Sequence, residues 1–376
     1  MKRFCYLLFF LLVLSCNREK IQPEPKPDDE KPEVFVPLER IEGRVALSYV
    51  TYYSQGIPDP TLLTHICYAF AELYVVNGQY REFRLQGDES RFAAIVDLKK
   101  NHPQLKILLA FTHTVVNKDN AQGGGFSSLS STDEGRKAFA SDCLKFIEQW
   151  GIDGIDIGWE FPGISWSGHA SNPASDTQNH VLLMKQLRET LGPNYLLTFP
   201  GYVMDVRVSE KGSRYIDLKA VEPYVDFVNV MTYDMDQAPK HHSALEDSRA
   251  YWDCARTYQA YVTAGFPPEK MVLGIPFYGR ISFSTSPSAI TYRQIQNLDP
   301  SLYTINNWDP TASVPYVIKK SSGAFYCGYD NAQSIAVKGS WLHARKMKGM
   351  MCWMYNGDDE KGTLRKAMWN AVMRPL

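Results

Sequence analysis

The stretch GIDGIDIGWEFPG, residues 151 to 163, sets acids into an apolar run and leaves a glycine between two of them. On a β-strand alternate residues share a face, so Asp156, Gly158 and Glu160 would point the same way. Extended spacing puts positions 156 and 160 about 13 Å apart, too far for their side chains to meet unaided. A carboxylate buried among apolar side chains costs several kcal/mol unless it is paired or protonated. A carboxyl that holds its proton near neutrality can act as a general acid. Glu160, followed by FPG at a strand exit, is the candidate for a functional role. Asp153 and Asp156 read equally well as organisers of hydrogen bonds in the core.

Elements must hold these groups in place. From about residue 40, short apolar runs alternate with amphipathic stretches: RVALSYV, HICYAFAEL, KILLAF, GIDGIDIGW, NYLLTFP, VDFVNVMTY, MVLGIPFYG and GMMCWMY. DEGRKAFASDCLKFIEQW and NHVLLMKQLRETL carry helical periodicity; the second opens near a cap at Asp176 and closes at Gly192-Pro193. Such alternation means βα units on a parallel sheet, and eight runs suit an α/β fold of the (β/α)8 TIM-barrel type. A doubly wound sheet would want a Gly-rich phosphate turn, and QGGGFSSLSS is not one. The interval between the seventh and eighth runs is too long for one helix. TYRQI and PYVIKKSSGAFYCGYD predict a small β-rich insertion over 281–333, and QSIAVKGSWLHARKMK the return helix, from near Ser334.

Ahead of the barrel, Lys2 and Arg3 precede the apolar run Phe4 to Leu14, then Ser15 and Cys16. That is the plan of a secretory signal, too short to span a bilayer. VLSC resembles a lipobox, which would make Cys16 a lipidated N-terminus. Residues 17–40, rich in Pro and charge, predict an extended tether, with the barrel domain over 41–376. The expectation is an exported lipoprotein anchored to a membrane of the bacterial envelope, the outer membrane by preference.

A net charge of −1 gives no sign of a nucleic-acid partner. The other cysteines are widely spaced in apolar runs and predict core residues, not a disulfide framework. No CxxC or HExxH occurs, and adjacent His241 and His242 diverge on a strand, so neither metal nor cofactor is expected. The 8 Trp and 22 Tyr fit a large core, or in part a carbohydrate groove.

DGIDIGWEFPG resembles the Asp-Gly-x-Asp-x-Asp-x-Glu signature of family-18 glycoside hydrolases, the class of chitinases and endo-N-acetylglucosaminidases. LTHICYAFAEL, VNVMTYDM, GIPFYGR and GMMCWMYNGDD resemble that family's second, sixth, seventh and eighth strands. The resemblance implies a retaining reaction in which the substrate's own 2-acetamido oxygen attacks the anomeric carbon, without an enzyme nucleophile. It implies that Glu160 protonates the leaving oxygen, that Asp156 supports it, and that Tyr233 bonds the acetamido oxygen. Trp353 would floor the sugar subsite, with Asp234, Arg280, Tyr49, Phe70 and Tyr278 also on the substrate. Met231 fits either that set or the barrel core. The implied partner is a glycan with N-acetylglucosamine.

Two departures stand out. The family carries an Asp where this chain has Gly158; that Asp holds the acetamido N–H and links the deeper Asp to the Glu. Water could fill the gap, or another acid could swing in, with Asp205 and Asp236 the candidates. The family's third strand usually ends in Ser-x-Gly-Gly, whereas here the place reads LLAFTHT, and His113 is read first as a packed imidazole, second as a new site residue. Three functions follow: a hydrolase of β-linked N-acetylglucosamine glycans, attenuated or not; a degenerate, membrane-anchored glycan-binding protein; or a barrel hydrolase with another acid partner.

Overall fold

The apolar runs close into a parallel barrel. Its strands are β1 (Val45–Thr51), β2 (His65–Val76), β3 (Lys106–Thr112), β4 (Gly154–Gly158), β5 (Leu196–Gly201), β6 (Phe227–Val230), β7 (Met271–Pro276) and β8 (Gly349–Trp353). Each pairs in parallel with the next, and β8 returns to β1. The computed structural model describes residues 35–120, 125–164, 170–202 and 215–375, of which those from Pro37 onward form one compact unit. The expected signal, Cys16 and residues 17–34 of the tether lie outside the described residues. No helix among the described residues is long and apolar enough to cross a membrane.

The strands are apolar on both faces because helices cover the outside and side chains fill the lumen. Val45, Leu47 and Tyr49 of β1 alternate inward, with Cys67 and Ala69 of β2 and Leu108 and Ala110 of β3 in the same cluster. Asp156 stands in register with Ala110 on one side and Thr198 on the other, so its carboxyl joins that inward set. Cys67, Cys143, Cys254, Cys327 and Cys352 are buried free thiols.

The helix Asp133–Trp150 shows why the outer layer forms. Thr132 caps it by accepting from the Gly135 N–H at 3.1 Å, and Gly151 ends it at φ +62°, a left-handed turn suited to glycine. Its apolar face of Phe139, Ala140, Cys143 and Ile147 is buried. The helix Asp176–Leu191 starts one residue earlier than a cap at Asp176 would have it; Ser175 holds that place. The Asp176 carboxylate turns away, accepting from Ser127 Oγ at 2.7 Å and from the N–H groups of Asn172 at 2.6 Å and Gly163 at 3.1 Å. It thereby stitches the loop after β4 to the body of the fold.

A second, five-stranded antiparallel sheet lies between β7 and β8, built from Tyr278–Arg280, Ala289–Thr291, Tyr303–Asp309, Val314–Lys319 and Phe325–Gly328. It begins three residues before the expected boundary at 281. TYRQI is not a strand: Thr291 ends one, and with Gln294 forms a capping box that starts the helix Tyr292–Gln296. The return helix is Ala332–Ala344, capped by Asn331.

Asp153 has a structural role. Just ahead of β4, it pairs with Lys99 at 2.6 Å and Lys106 at 3.1 Å, and accepts from the Ile107 N–H at 2.9 Å. That ties β3 to β4 at the end of the barrel away from Glu160.

Candidate active site

β4 stops at Gly158, two residues short of Glu160. The Trp159 N–H turns back to the Ile157 carbonyl at 3.0 Å. The chain therefore leaves strand geometry before Glu160, and the extended spacing of about 13 Å does not apply. The two carboxyls are in electrostatic contact: burial first, and then the Asp156 charge, raise the Glu160 pKa to about 7. Among the described residues, none hydrogen-bonds the half-buried Glu160 carboxyl.

Asp156 is almost wholly buried and well partnered. Its carboxylate accepts from Thr198 Oγ1 at 2.6 Å, Tyr49 OH at 2.8 Å and Asn229 Nδ2 at 3.2 Å. Burial raises its pKa to about 6, although the bonds from Thr198, Tyr49 and Asn229 pull the other way. Each partner comes from a different strand, so the barrel itself sets this geometry. Thr198 and Asn229 escaped the sequence reading; the signal was a lone polar residue inside LLTFP and another inside FVNV.

Tyr233 is buried, and burial first, then the Glu160 charge, hold its phenol well above the usual range. Among the described residues its hydroxyl makes only a weak contact, to Met351 Sδ at 3.9 Å. A protonated phenol so placed has its proton available for a ligand. Asp234 follows at φ +56° and is gripped by Arg280, with Nε at 2.9 Å and Nη2 at 2.7 Å from its two oxygens. His242 Nδ1 lies 3.3 Å from the same carboxylate. Burial would raise the Asp234 pKa, but His242 and Arg280 together hold it well below the usual carboxylate range.

These groups line one cavity of about 280 Å³ at the C-terminal ends of the strands. Ligand sites in such barrels sit at this end. Trp353 and Phe70 form a stacked aromatic wall, with centroids 5.8 Å apart at 28°, and Tyr49 leans on Trp353 at 5.5 Å. Met231 both lines the cavity and packs against the barrel core. Tyr278 lines it too, beside Tyr233. Arg280 does not: its guanidinium is occupied by Asp234 and lies over the Tyr278 and Phe283 rings. It fixes the Asp234 carboxylate. His242, buried behind the same carboxylate, was missed because an adjacent His pair carries no periodic signal.

The model of glycosyl hydrolases family 18 matches residues 45–358. This chain belongs to that family. It is 26% identical over 360 residues to probable chitinase 2 of Drosophila melanogaster, covering 82% of this chain and 68% of the relative. Chitinase A1 of Niallia circulans is 28% identical over 307 residues, 70% of this chain but 42% of that longer protein. A solved family-18 N-acetylglucosaminidase from Paenibacillus barengoltzii superposes with a TM-score of 0.70 at 26% identity, over 88% of this chain and all of the other.

Within this family-18 barrel, position 158 is not an empty slot. A Cβ on Gly158 would lie 2.1 Å from the Phe111 carbonyl oxygen. β3 and β4 approach so closely here that only a glycine fits without backbone movement. Asp236 does not supply a substitute acid: it pairs with Lys240 at 3.0 Å and accepts from the Gln237 N–H, off the cavity wall. Asp205 lies outside the described residues. His113 is not simply packed away; it is half-buried and lines the cavity with Thr112 and Thr114, next to Gly158. No cluster of three or more His, Cys, Asp or Glu side chains among the described residues could hold a metal.

The coupling between the two carboxyls makes a prediction for any activity that needs Glu160 protonated. Such activity falls as pH rises through about 7. Asp156→Asn removes the charge that helps raise the Glu160 pKa, so the basic limb of the kcat/KM profile should move to lower pH. A limb that stays in place, measured by initial rates across the neutral range, would separate the two groups.

Proposed function

We propose that this protein hydrolyses β-linked N-acetylglucosamine glycans by the substrate-assisted, retaining route. Glu160, holding its proton near neutrality, gives it to the glycosidic oxygen as that bond to the anomeric carbon breaks. The acetamido oxygen of the same sugar attacks the anomeric carbon, and the positive charge passes into the resulting oxazolinium ring. Glu160, now a carboxylate, takes a proton from the water that reopens the ring. Tyr233 donates to the acetamido oxygen, Trp353 faces the sugar, and Asp156 tunes Glu160 from below. Asp234, fixed by Arg280 and His242, accepts from substrate hydroxyls.

The observation that carries this reading is the Glu160 carboxyl, raised to about 7 and turned into the cavity that Tyr233 and Trp353 also line. The relatives, a probable chitinase, a chitinase and an N-acetylglucosaminidase, support it. Capture of glycans without turnover is the second reading, favoured by the close backbone approach at Gly158. Incubation with chitooligosaccharides, with product analysis beside a binding titration, decides between them. Shortened N-acetylated products support hydrolysis; saturable binding with intact oligosaccharide supports capture.

A further inference from the structure

The two ends of the barrel carry different chemistry. The Glu160 cavity lies where the strands end. A second cavity, of about 340 Å³, lies where they begin, against Leu63 just ahead of β2 and Leu105 just ahead of β3. Arg40, Thr61, Asn101, His102 and Gln104 supply its polar wall, and no acidic residue lines it. The half-buried Arg40 makes no hydrogen bond and no ion pair among the described residues.

Cations gather around this cavity. Burial first, then the charges of Arg40, Lys348 and Lys106, hold the pKa of His65 at the start of β2 down to about 3, with Asp153 opposing. Lys348, just ahead of β8, is held below the usual lysine range by burial and by Lys270 and Arg44, against the pull of Asp226. Carboxylates answer only part of this charge: Asp153 takes Lys99 and Lys106, Glu222 takes Lys270, and Asp226 takes Arg188. Arg40, Arg44 and Lys348 have no ion-pair partner among the described residues, and the exposed Glu39 and Glu42 pair with none of them. Half-buried cations set close together repel one another, and an anion brought among them offsets that cost.

The chain joins the barrel at this same end. Trp369 Nε1, from the helix Thr363–Val372, donates to the Leu38 carbonyl at 2.8 Å. Met373 Sδ accepts from the Ile41 N–H at 3.3 Å, and Arg44 Nη1 donates to the Met347 carbonyl at 3.0 Å. Leu38, two residues from Arg40, leaves an apolar side chain exposed there. An anchor at Cys16 would thus attach to the end away from Glu160. The stretch from Cys16 to Leu38 could span at most about 70–80 Å, enough for the barrel to turn over, so attachment alone does not set which end meets a membrane.

We propose that the closed end of the barrel docks on an anionic membrane surface, with the phosphate of a lipid headgroup seated in the cavity beside Arg40. The Glu160 cavity is then turned away from the lipid. The membrane anchorage expected from the sequence is the premise for this occupant, and turnover plays no part in it. A lipid chain joined by a basic patch holds a protein more firmly than the chain alone, and each Lys or Arg near an anionic leaflet adds to the hold.

The test uses the full chain with Cys16→Ser, which cannot take a lipid at that position. Cosedimentation with vesicles of phosphatidylcholine, with and without phosphatidylglycerol, gives a preference for the anionic surface within each protein. The apolar N-terminal run contributes alike to every variant. Adding Arg40→Gln, or separately Arg44→Gln, should lower that preference about 5-fold with the melting temperature unchanged. Lys118→Gln, an exposed cation on the loop after β3 at the other end, should leave it as it was. No preference for phosphatidylglycerol in Cys16→Ser, a preference untouched by Arg40→Gln and Arg44→Gln, or one that Lys118→Gln lowers as much, would overturn the proposal. So would calorimetry in which inorganic phosphate binds the Cys16→Ser protein while the vesicles show no preference, since the cavity would then serve a soluble anion.

Discussion

Glu160→Gln should abolish measurable turnover of chitooligosaccharides while leaving their binding close to that of the wild type. General acid–base groups contribute about 10²–10⁴ in rate, and Glu160 would serve in both halves of the reaction. Glutamine keeps the shape and cannot give a proton. The Glu160 carboxyl receives no hydrogen bond among the described residues, so its replacement breaks none there and the melting temperature should hold. That pattern separates a chemical role from a structural one. A variant that cleaves as fast as the wild type would remove the proton donor from the account. Weakened binding with unchanged kcat would assign Glu160 to substrate capture instead.

Gly158→Asp should not restore the activity of a full family signature. A missing charge partner in a transition state is worth about 2.7–4 kcal/mol elsewhere, so a rise of 10²–10³ in rate would follow if position 158 were merely empty. It is not. The Cβ alone would meet the Phe111 carbonyl at 2.1 Å, and that atom belongs to the backbone of β3, which cannot rotate aside. Overpacking of this kind costs about 1–3 kcal/mol. The added carboxylate would also stand beside Asp156 and Glu160, where like charges oppose ionisation. The expected result is a lower melting temperature and no gain in kcat. A large gain with undiminished stability would show that β3 yields, and that the gap was the sole limit on rate.

How far the sequence could be read follows from the kind of signal each part carries. The barrel was legible because burial on both faces makes a strand a continuous apolar run, and eight such runs alternate with helices. The fate of Glu160 was harder to see. GIDIGWE continues the apolar run past Gly158, yet the chain turns at Trp159, and no composition marks that turn. The hairpin partner of β2, Gln79–Leu85, was passed over although Asn77-Gly78 is a strong two-residue turn signal. Glu160, Asp156, Tyr233 and Trp353 were found through their motifs and do share a cavity. The supports were not found: Thr198 and Asn229 act on Asp156 from strands distant in sequence, which only the closed barrel brings to it, and His242 reaches Asp234 from eight residues on, across the turns after β6. The tightness at Gly158 was invisible as well, since a missing side chain looks the same in a sequence whether space or backbone lies behind it.

The account turns on one proton. Carboxyl carbons of labelled glutamate can be followed by NMR across a pH titration, and the signal absent from Glu160→Gln assigns the residue. We expect that signal to titrate near 7, raised by burial and by Asp156, and to move lower in Asp156→Asn. Titration at the ordinary glutamate value of 4.5, unmoved by Asp156→Asn, would show a carboxylate already ionised at neutral pH and would contradict its role as proton donor.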